Sequence, residues 1–445
     1  MYDLIIIGGG PGGYMAAERA GHAGLSVLLI EKNALGGVCL NEGCIPSKTL
    51  LHSAKIYDNA LNGEAYGVSV EKASLDHKHV ISRKDKVVHT LVGGVKSLMK
   101  ASKVTVVYGE AFIVEGANVR VGNKTYSGKR LMIATGSVPI IPPVDGVMEG
   151  IESGFVVTSR EILELPEVPK RLAVIGGGVV GLEMASYYNS AGSHVTVIEM
   201  LPAIGGSIDS EISSILMKSY QKKGIEFILG ARVTGVAGSS VLYEGGQVTA
   251  DKVLLSIGRK PAIDGFGLEN TGAAIGGNAI VTDLHGLTSV PNIYAVGDVN
   301  GRFMLAHAAY REAVVAVNHM IGKRDIMRYG AVPSVVYTSP EVACVGETEG
   351  SAKAKGIEYA AVTVPMAFSG RFLAENAAAE GICKVVIDKE HRNIIGAHMI
   401  GSYVSEIIPS ACIMIEMQMR VEDVKEIVFP HPTVSETIRE AVFRL

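Results

Sequence analysis

Leu4-Ile-Ile-Ile-Gly8-Gly-Gly10-Pro-Gly-Gly13 decides the architecture: four aliphatic residues run directly into a Gly-x-Gly-x-x-Gly pattern. So short an apolar run, ended by glycines, predicts a buried strand that turns tightly into a helix. Beyond that helix the pattern resumes at Val27-Leu-Leu-Ile-Glu31, a second strand ending on a carboxylate. Each glycine has its own task. Gly8 makes the tight turn, Gly10 lets the backbone approach a pyrophosphate, and Gly13 lets the helix lie close to the strand. The helix start offers unpaired N–H groups and a positive dipole end to the phosphates. Glu31 accepts hydrogen bonds from a ribose.

The same unit recurs as Leu172-Ala-Val-Ile-Gly176-Gly-Gly178-Val-Val-Gly181, a helix, and Val195-Thr-Val-Ile-Glu199. Glycines 8, 10, 13 and 24 and Val27, Ile30 and Glu31 map onto 176, 178, 181, 192, 195, 198 and 199 at one constant offset. A lone glycine pattern is weak, because glycine turns between strand and helix are common. Two copies in full strand–helix–strand–acid context imply two bound dinucleotides. Glu199 also selects between nicotinamides. A 2′-phosphate about 4 Å from that carboxylate, at an effective dielectric near 20, would cost on the order of 4 kcal/mol. No arginine stands beside it, so NAD is expected over NADP.

Shortly after the first unit comes Gly36-Gly-Val-Cys39-Leu-Asn-Glu-Gly-Cys44-Ile-Pro-Ser-Lys48. A disulfide needs Cα atoms within roughly 4.4–6.8 Å, so a bridge here requires a tightly coiled segment, which Gly43 eases. Two ordinary thiols or half of a metal site are the plain alternatives. A zinc site would want a second Cys/His pair at regular spacing, and Cys344, Cys383 and Cys412 are scattered far away. A redox-active pair beside a cofactor is the stronger reading; the three other cysteines are expected to be buried and unreactive.

The chain has 445 residues, 48% of them hydrophobic and 19% charged, with 53 glycines, a dense α/β profile with room for several cores. A net charge of −4 without a basic block argues against nucleic acid. Five unevenly spaced cysteines do not make a secreted disulfide framework. The apolar N-terminus lacks a basic leader and a cleavage site, and no stretch approaches a membrane span, so a cytoplasmic protein is expected. Ser82 to Lys100 reads as an amphipathic helix with Leu91, Val95 and Leu98 on one stripe, Thr433 to Val442 as a terminal helix, and Met414, Met417 and Met419 as packing residues of an apolar helix.

Together with these motifs, Ala134-Thr-Gly-Ser137, Leu255-Ser-Ile-Gly-Arg-Lys-Pro261, Ile293-Tyr-Ala-Val-Gly-Asp298, Tyr337-Thr-Ser-Pro-Glu341 and His431-Pro-Thr-Val-Ser-Glu436 give a chain that resembles the two-dinucleotide-binding-domain flavoprotein disulfide reductases from residue 2 to its end. The resemblance implies two Rossmann-like domains, for FAD and NAD, and a C-terminal α+β dimerisation domain. Its implied boundaries are 1–142 for the first part of the FAD domain, 143–260 for the NAD domain, 261–330 for a return to the FAD side, and 331–445 for the dimerisation domain. It implies that Thr135, Gly136 and Gly258 lie along the cofactors and that Asp298 bonds the FAD ribityl chain. Ala306 and His307 would pass the flavin through their backbone, and Lys48 would lie near flavin N5 and pair with Glu183. His431 would be the acid–base group, oriented by Glu436 and supplied by the second subunit of a homodimer. The implied reaction is oxidation of dihydrolipoamide with NAD⁺, served to lipoyl groups of 2-oxoacid dehydrogenase or glycine cleavage complexes.

Three positions depart from the family pattern. Phe429 stands where a second histidine is common, Glu42 replaces an apolar residue between the cysteines, and Val38 replaces a common threonine. Glu42 would raise nearby thiol pKa values by like-charge repulsion. The nearest alternative is a reductase of the same fold acting on another disulfide. A non-catalytic flavoprotein would have lost Cys44 or His431, and both are present.

Overall fold

The computed structural model describes residues 1–377 and 380–445, which form two compact units, each assembled from separated stretches of chain. The first comprises 1–49, 81–140 and 258–328. Its centre is a five-stranded sheet in the order Ile293–Ala295, Leu131–Ile133, Leu4–Ile7, Val27–Glu31, Thr105–Tyr108. Every pairing in it is parallel. Numbered along the chain, this is the 3-2-1-4-5 order of a dinucleotide-binding fold, which binds ligands where the strand order reverses. That reversal lies beside Leu4–Ile7, the strand that opens the chain.

The residues explain why this strand is central. All four side chains are buried, as expected for a parallel sheet covered on both faces. Strand alternation sends Leu4 and Ile6 into a core with the Pro11–His22 and Ala306–Met320 helices. Ile5 and Ile7 enter a second core with Ile113, Val119, Phe266 and Ile280. Burying each such side chain contributes about 1.5–3 kcal/mol.

The second unit comprises 50–80, 141–257 and 329–445. It repeats the parallel arrangement in the order Glu226–Leu229, His194–Glu199, Arg171–Ile175, Lys252–Leu255, Val156–Val157. Its C-terminal part is a five-stranded antiparallel sheet in the order Ser334–Val336, Glu341–Gly346, Ile394–Gly401, Ile382–Asp388, Tyr359–Pro365. One face of that sheet packs on the Val404–Glu416 and Glu436–Val442 helices through Ala343, Val345, Val385, Met399, Ile408 and Ile438.

Some local expectations need correction. The long amphipathic helix runs from His77 to Ala101, and its buried stripe is Val92, Val95 and Met99, flanked by Val88 and Leu98. Leu91 is 39% exposed: it shares a face with Val95 but lies on the opposite side of it from Val92 and Met99, at the margin of the stripe the core covers. Of the three methionines, only Met414 lies in the Val404–Glu416 helix and is buried. The helix ends there because Gln418 takes a left-handed conformation, φ +52°, letting Met419 N–H close back on the Met414 carbonyl. Met417 is left 69% exposed. The terminal helix starts at Glu436, three residues later than expected. Of the three outlying cysteines, only Cys383 is fully buried; Cys344 and Cys412 are partly so. Among the described residues no helix is long and apolar enough to cross a membrane.

Candidate active site

Both glycine turns form, and with the same geometry. Gly8 and Gly176 each adopt φ +102°, a left-handed region that favours glycine. A Cβ on Gly13 would stand 1.8 Å from the Gly8 carbonyl oxygen, and one on Gly181 would stand 2.2 Å from that of Gly176. The third glycine in each copy is therefore a packing requirement between helix and turn. Gly10 and Gly178 begin their helices with no side-chain cap, and a Cβ on Gly178 would meet nothing within 4 Å. Neither helix start thus has a side-chain cap for its first N–H groups, which suits a pyrophosphate acceptor.

The two acids are matched in the same way. Glu31 accepts Gly9 N–H at 2.7 Å and Asn33 N–H at 2.6 Å. Glu199 accepts Gly177 N–H at 2.6 Å and Leu201 N–H at 2.8 Å. Each carboxylate is fixed at the tip of its second strand beside its glycine loop, where a ribose would reach it.

The cysteine segment is held against the first glycine loop through close backbone contacts. Gly36 N–H donates to the Gly9 carbonyl at 2.8 Å, and a Cβ on Gly37 would lie 2.6 Å from Gly10 Cα. Gly36 and Gly37 both take positive φ to make this approach. Cys39 sits in the short Gly37–Glu42 helix, and Cys44 opens the Cys44–Leu61 helix beyond the Gly43 break. Asn41 pins the coil by donating to the carbonyls of Leu35 and Gly37 at 3.1 and 2.9 Å. Both cysteines are free thiols, and they are hydrogen-bonded to each other. That bond, reinforced by burial and by like-charge repulsion from Cys44, pushes the Cys39 thiol well above its ordinary pKa, while nearby Lys48 opposes the rise. Losing the Cys39 proton beside a Cys44 thiolate is therefore disfavoured.

Asp298 follows the Ile293–Ala295 strand and accepts Ser137 Oγ–H at 2.5 Å. Arg259 donates from Nε to Ser137 Oγ at 2.7 Å and from Nη2 to the Ser137 carbonyl at 2.8 Å. Burial raises the Asp298 pKa despite these partners and lowers that of Arg259. Thr135 donates to the Ala262 carbonyl at 2.8 Å, and Gly136, at φ +75°, accepts Ala262 N–H. Gly258, at φ +115°, accepts Ile140 N–H. Ala306 and His307 open the Ala306–Met320 helix, whose N-cap Leu305 supplies no side-chain acceptor. Glu183 is buried on the second glycine-loop helix and accepts Tyr337 N–H at 3.1 Å.

In the second unit His431 and Glu436 meet. His431 Nδ1 lies 3.1 Å from both carboxylate oxygens of Glu436. Glu436 is buried and also accepts Thr433 N–H at 2.9 Å, whereas the His431 side chain is 77% exposed. The Thr433 N–H first, and His431 after it, hold the Glu436 carboxyl below its usual range. A fixed carboxylate on Nδ1 leaves Nε2 as the ring nitrogen open to proton exchange.

Several residues carry structure at the first site without having been assigned a role from the sequence. Arg259 and Ser137 both lie in quoted motifs, yet their bond spans 122 positions. Glu312 accepts Gly297 N–H at 2.6 Å and the Asn300 amide at 2.9 Å, so it secures the Asp298 turn. A carboxylate among the apolar buried positions of that helix was its available signal. Tyr14 and Tyr310 share a hydroxyl–hydroxyl bond of 2.5 Å beneath the cysteine segment's core. Among the described residues no group of three His, Cys, Asp or Glu is arranged to hold a metal ion.

Comparison with known proteins agrees with this geometry. Residues 2–313 match the model of the pyridine nucleotide-disulphide oxidoreductases, and residues 332–442 match that family's dimerisation domain. The dihydrolipoyl dehydrogenase of Mycoplasma pneumoniae is 40% identical over 449 residues, covering 99% of this chain and 97% of the relative. That of Geobacillus stearothermophilus is 39% identical over 452 residues, covering 99% and 95%. Among solved structures, an HOCl-induced flavoprotein disulfide reductase from Escherichia coli superposes with a TM-score of 0.89 at 28% identity, covering 99% of each chain. With a family model spanning residues 2–313 and relatives near 40% identity along its length, the chain belongs to the pyridine nucleotide-disulphide oxidoreductase family.

Proposed function

We propose that this chain oxidises protein-bound dihydrolipoamide to lipoamide through a Cys39–Cys44 disulfide and reduces NAD⁺ to NADH. One observation carries the reading: a hydrogen-bonded thiol pair is anchored by backbone to the first of two matched dinucleotide loops. The full-length relatives named dihydrolipoyl dehydrogenase support the choice of substrate. FAD fits the first loop, through Gly8, Gly10, Gly13, Glu31, Thr135, Gly136, Asp298, Ala306 and His307. NAD fits the second, through Gly176, Gly178, Gly181, Glu199 and Gly258. Lys48 serves the reacting end of the flavin. When bound, the flavin converts electron-pair transfer from sulfur into hydride transfer to nicotinamide.

The chain's own residues do the sulfur and proton chemistry. The partner subunit's His431 takes a proton from dihydrolipoamide, with Glu436 stabilising the imidazolium. The resulting thiolate attacks Cys39 Sγ and breaks the Cys39–Cys44 bond, leaving Cys44 as thiolate. The second substrate thiol passes its proton to Cys39 as its sulfur displaces Cys39 from the mixed disulfide, closing the lipoamide ring and leaving a Cys39 thiol and a Cys44 thiolate, with the other proton on His431. The tightly held proton on the pair keeps one sulfur protonated while the other remains the electron donor. Two electrons leave as the disulfide re-forms, so the sum is dihydrolipoamide and NAD⁺ giving lipoamide, NADH and H⁺.

The four stretches 1–142, 143–260, 261–330 and 331–445 serve as FAD, NAD, returning FAD and dimerisation domains. The enzyme works as a cytoplasmic homodimer on the lipoyl groups of 2-oxoacid dehydrogenase or glycine cleavage complexes. The test is the initial rate of NAD⁺ reduction by dihydrolipoamide, run beside NADP⁺ and beside glutathione disulfide with NADPH. Turnover confined to dihydrolipoamide and NAD⁺ is expected. Turnover of the other disulfide instead would replace this reading with its nearest alternative.

A further inference from the structure

Lys384 is a lysine with almost no access to water: it is 4% exposed on the Ile382–Asp388 strand of the C-terminal sheet. Its Nζ reaches Asp209 at 3.0 and 3.1 Å, Glu349 at 3.0 Å and Glu211 at 3.1 Å. Burial works against its charge, but these hydrogen bonds, that to Asp209 first, outweigh it and raise its pKa. Asp209 is equally hidden, 5% exposed, and sits on the sheet face where Cys344, His398 and Lys384 lie side by side in register. The Asp209 backbone N–H bonds Cys344 as well.

Asp209 belongs to the other part of this unit. It is the N-cap of the Ser210–Lys222 helix, accepting Glu211 and Ile212 N–H at 3.0 and 3.4 Å. The loop before it, residues 200–208, returns to the second dinucleotide turn. Gly205 N–H donates to the Gly177 carbonyl at 2.8 Å, and Ile204 and Glu199 both lie 3.3 Å from a Cβ built on Gly177. Ser213, one turn into the helix, holds the Ile204 carbonyl at 2.7 Å. A continuous chain of contacts therefore runs from Lys384 through Asp209 and its loop to the ribose carboxylate and the glycine turn.

Resting on the reading that the second loop binds NAD, we propose that Lys384 is a positioning residue for it. The dimerisation-domain sheet, through Lys384 and Asp209, fixes the loop that shapes the adenosine-ribose half of the NAD site. The physical reason is the cost of a lone buried charge. Without the ammonium, Asp209 is a carboxylate in a dry site with its main partner gone. Swinging it out to water is the cheapest relief, and that motion withdraws the helix cap and loosens Ile204 and Gly205 from Gly177.

The experiment is calorimetric titration of flavin-loaded wild type, Lys384→Met, Lys384→Arg and Glu349→Gln with ADP-ribose, beside steady-state kinetics. Lys384→Met should weaken ADP-ribose binding and raise KM for NAD⁺ by roughly ten-fold, while kcat and KM for dihydrolipoamide stay within about two-fold. Lys384→Arg should restore most of the affinity, because it keeps the charge. A folded Lys384→Met with wild-type ADP-ribose affinity, or one that loses kcat instead, overturns the proposal. If Lys384→Met does not fold, Glu349→Gln decides. It removes one partly exposed partner and should weaken binding by about three-fold; unchanged affinity overturns the proposal. Wild type that binds no ADP-ribose would sink the NAD reading itself, a result distinct from variants that bind as wild type does.

Discussion

At the scale of single residues, chemistry concentrates in groups whose surroundings fix their protons. Glu436 is buried, charged, and aimed at one nitrogen of an exposed histidine. Glu436→Gln keeps the shape and one hydrogen bond but removes the charge that stabilises a protonated ring. The expected outcome is a loss of kcat on the order of 10²-fold with little change in KM for NAD⁺, checked by steady-state kinetics against pH. The five cysteines should separate by reactivity. Burial pushes the Cys344 and Cys383 thiols up to about 12 and that of Cys412 up to about 11. A raised thiol pKa keeps the unreactive neutral form below it. Alkylation of the reduced protein at pH 8, read by peptide mass spectrometry, should therefore spare Cys344, Cys383 and Cys412 and modify the Cys39–Cys44 pair at one sulfur only, because the raised Cys39 pKa keeps the pair's last proton in place. Legibility at this scale follows sequence distance. His431 and Glu436 lie five positions apart and could be paired by reading. Arg259 reaches Ser137 across 122 positions and Lys384 reaches Asp209 across 175, and no local pattern announces such bonds.

Among elements, the glycine turns were legible because their geometry is set within a few residues. Both copies reproduce one φ value and one carboxylate arrangement. The matched turns also permit a double dissociation. Gly13→Val forces a side chain into the Gly8 carbonyl and should yield colourless protein without flavin. Gly181→Val clashes with Gly176 and should yield yellow protein that fails to bind NADH, measured by fluorescence titration. Helix faces were less legible. Along His77–Ala101, apolar residues stand on more than one side, and only the tertiary core chooses Val92, Val95 and Met99 over Leu91. Met99→Ala should cost about 2–4 kcal/mol in chemical denaturation, and Leu91→Ala less than about 0.5. Helix ends were missed where a single backbone conformation decides them, as at Gln418.

For the whole molecule, the fold class was readable, because two repeated loops and their strands dictate two parallel sheets. The interleaving of chain segments was less so, since 50–80 joins the second unit by packing contacts that leave no local mark. Homodimer function gives a test at this scale. Mixed Cys39→Ser and His431→Gln subunits, each inactive alone, should recover about a quarter of wild-type activity after random reassociation. In half of the dimers, one site then joins an intact sulfur pair to an intact histidine. No recovery would mean that each chain completes its own site. The first glycine loop and the coil that spaces two sulfurs meet where Gly36 N–H bonds the Gly9 carbonyl, so order in one supports order in the other. An apoprotein should betray its immaturity through loosened, easily trapped sulfurs, a built-in inspection mark that separates finished molecules from unfinished ones.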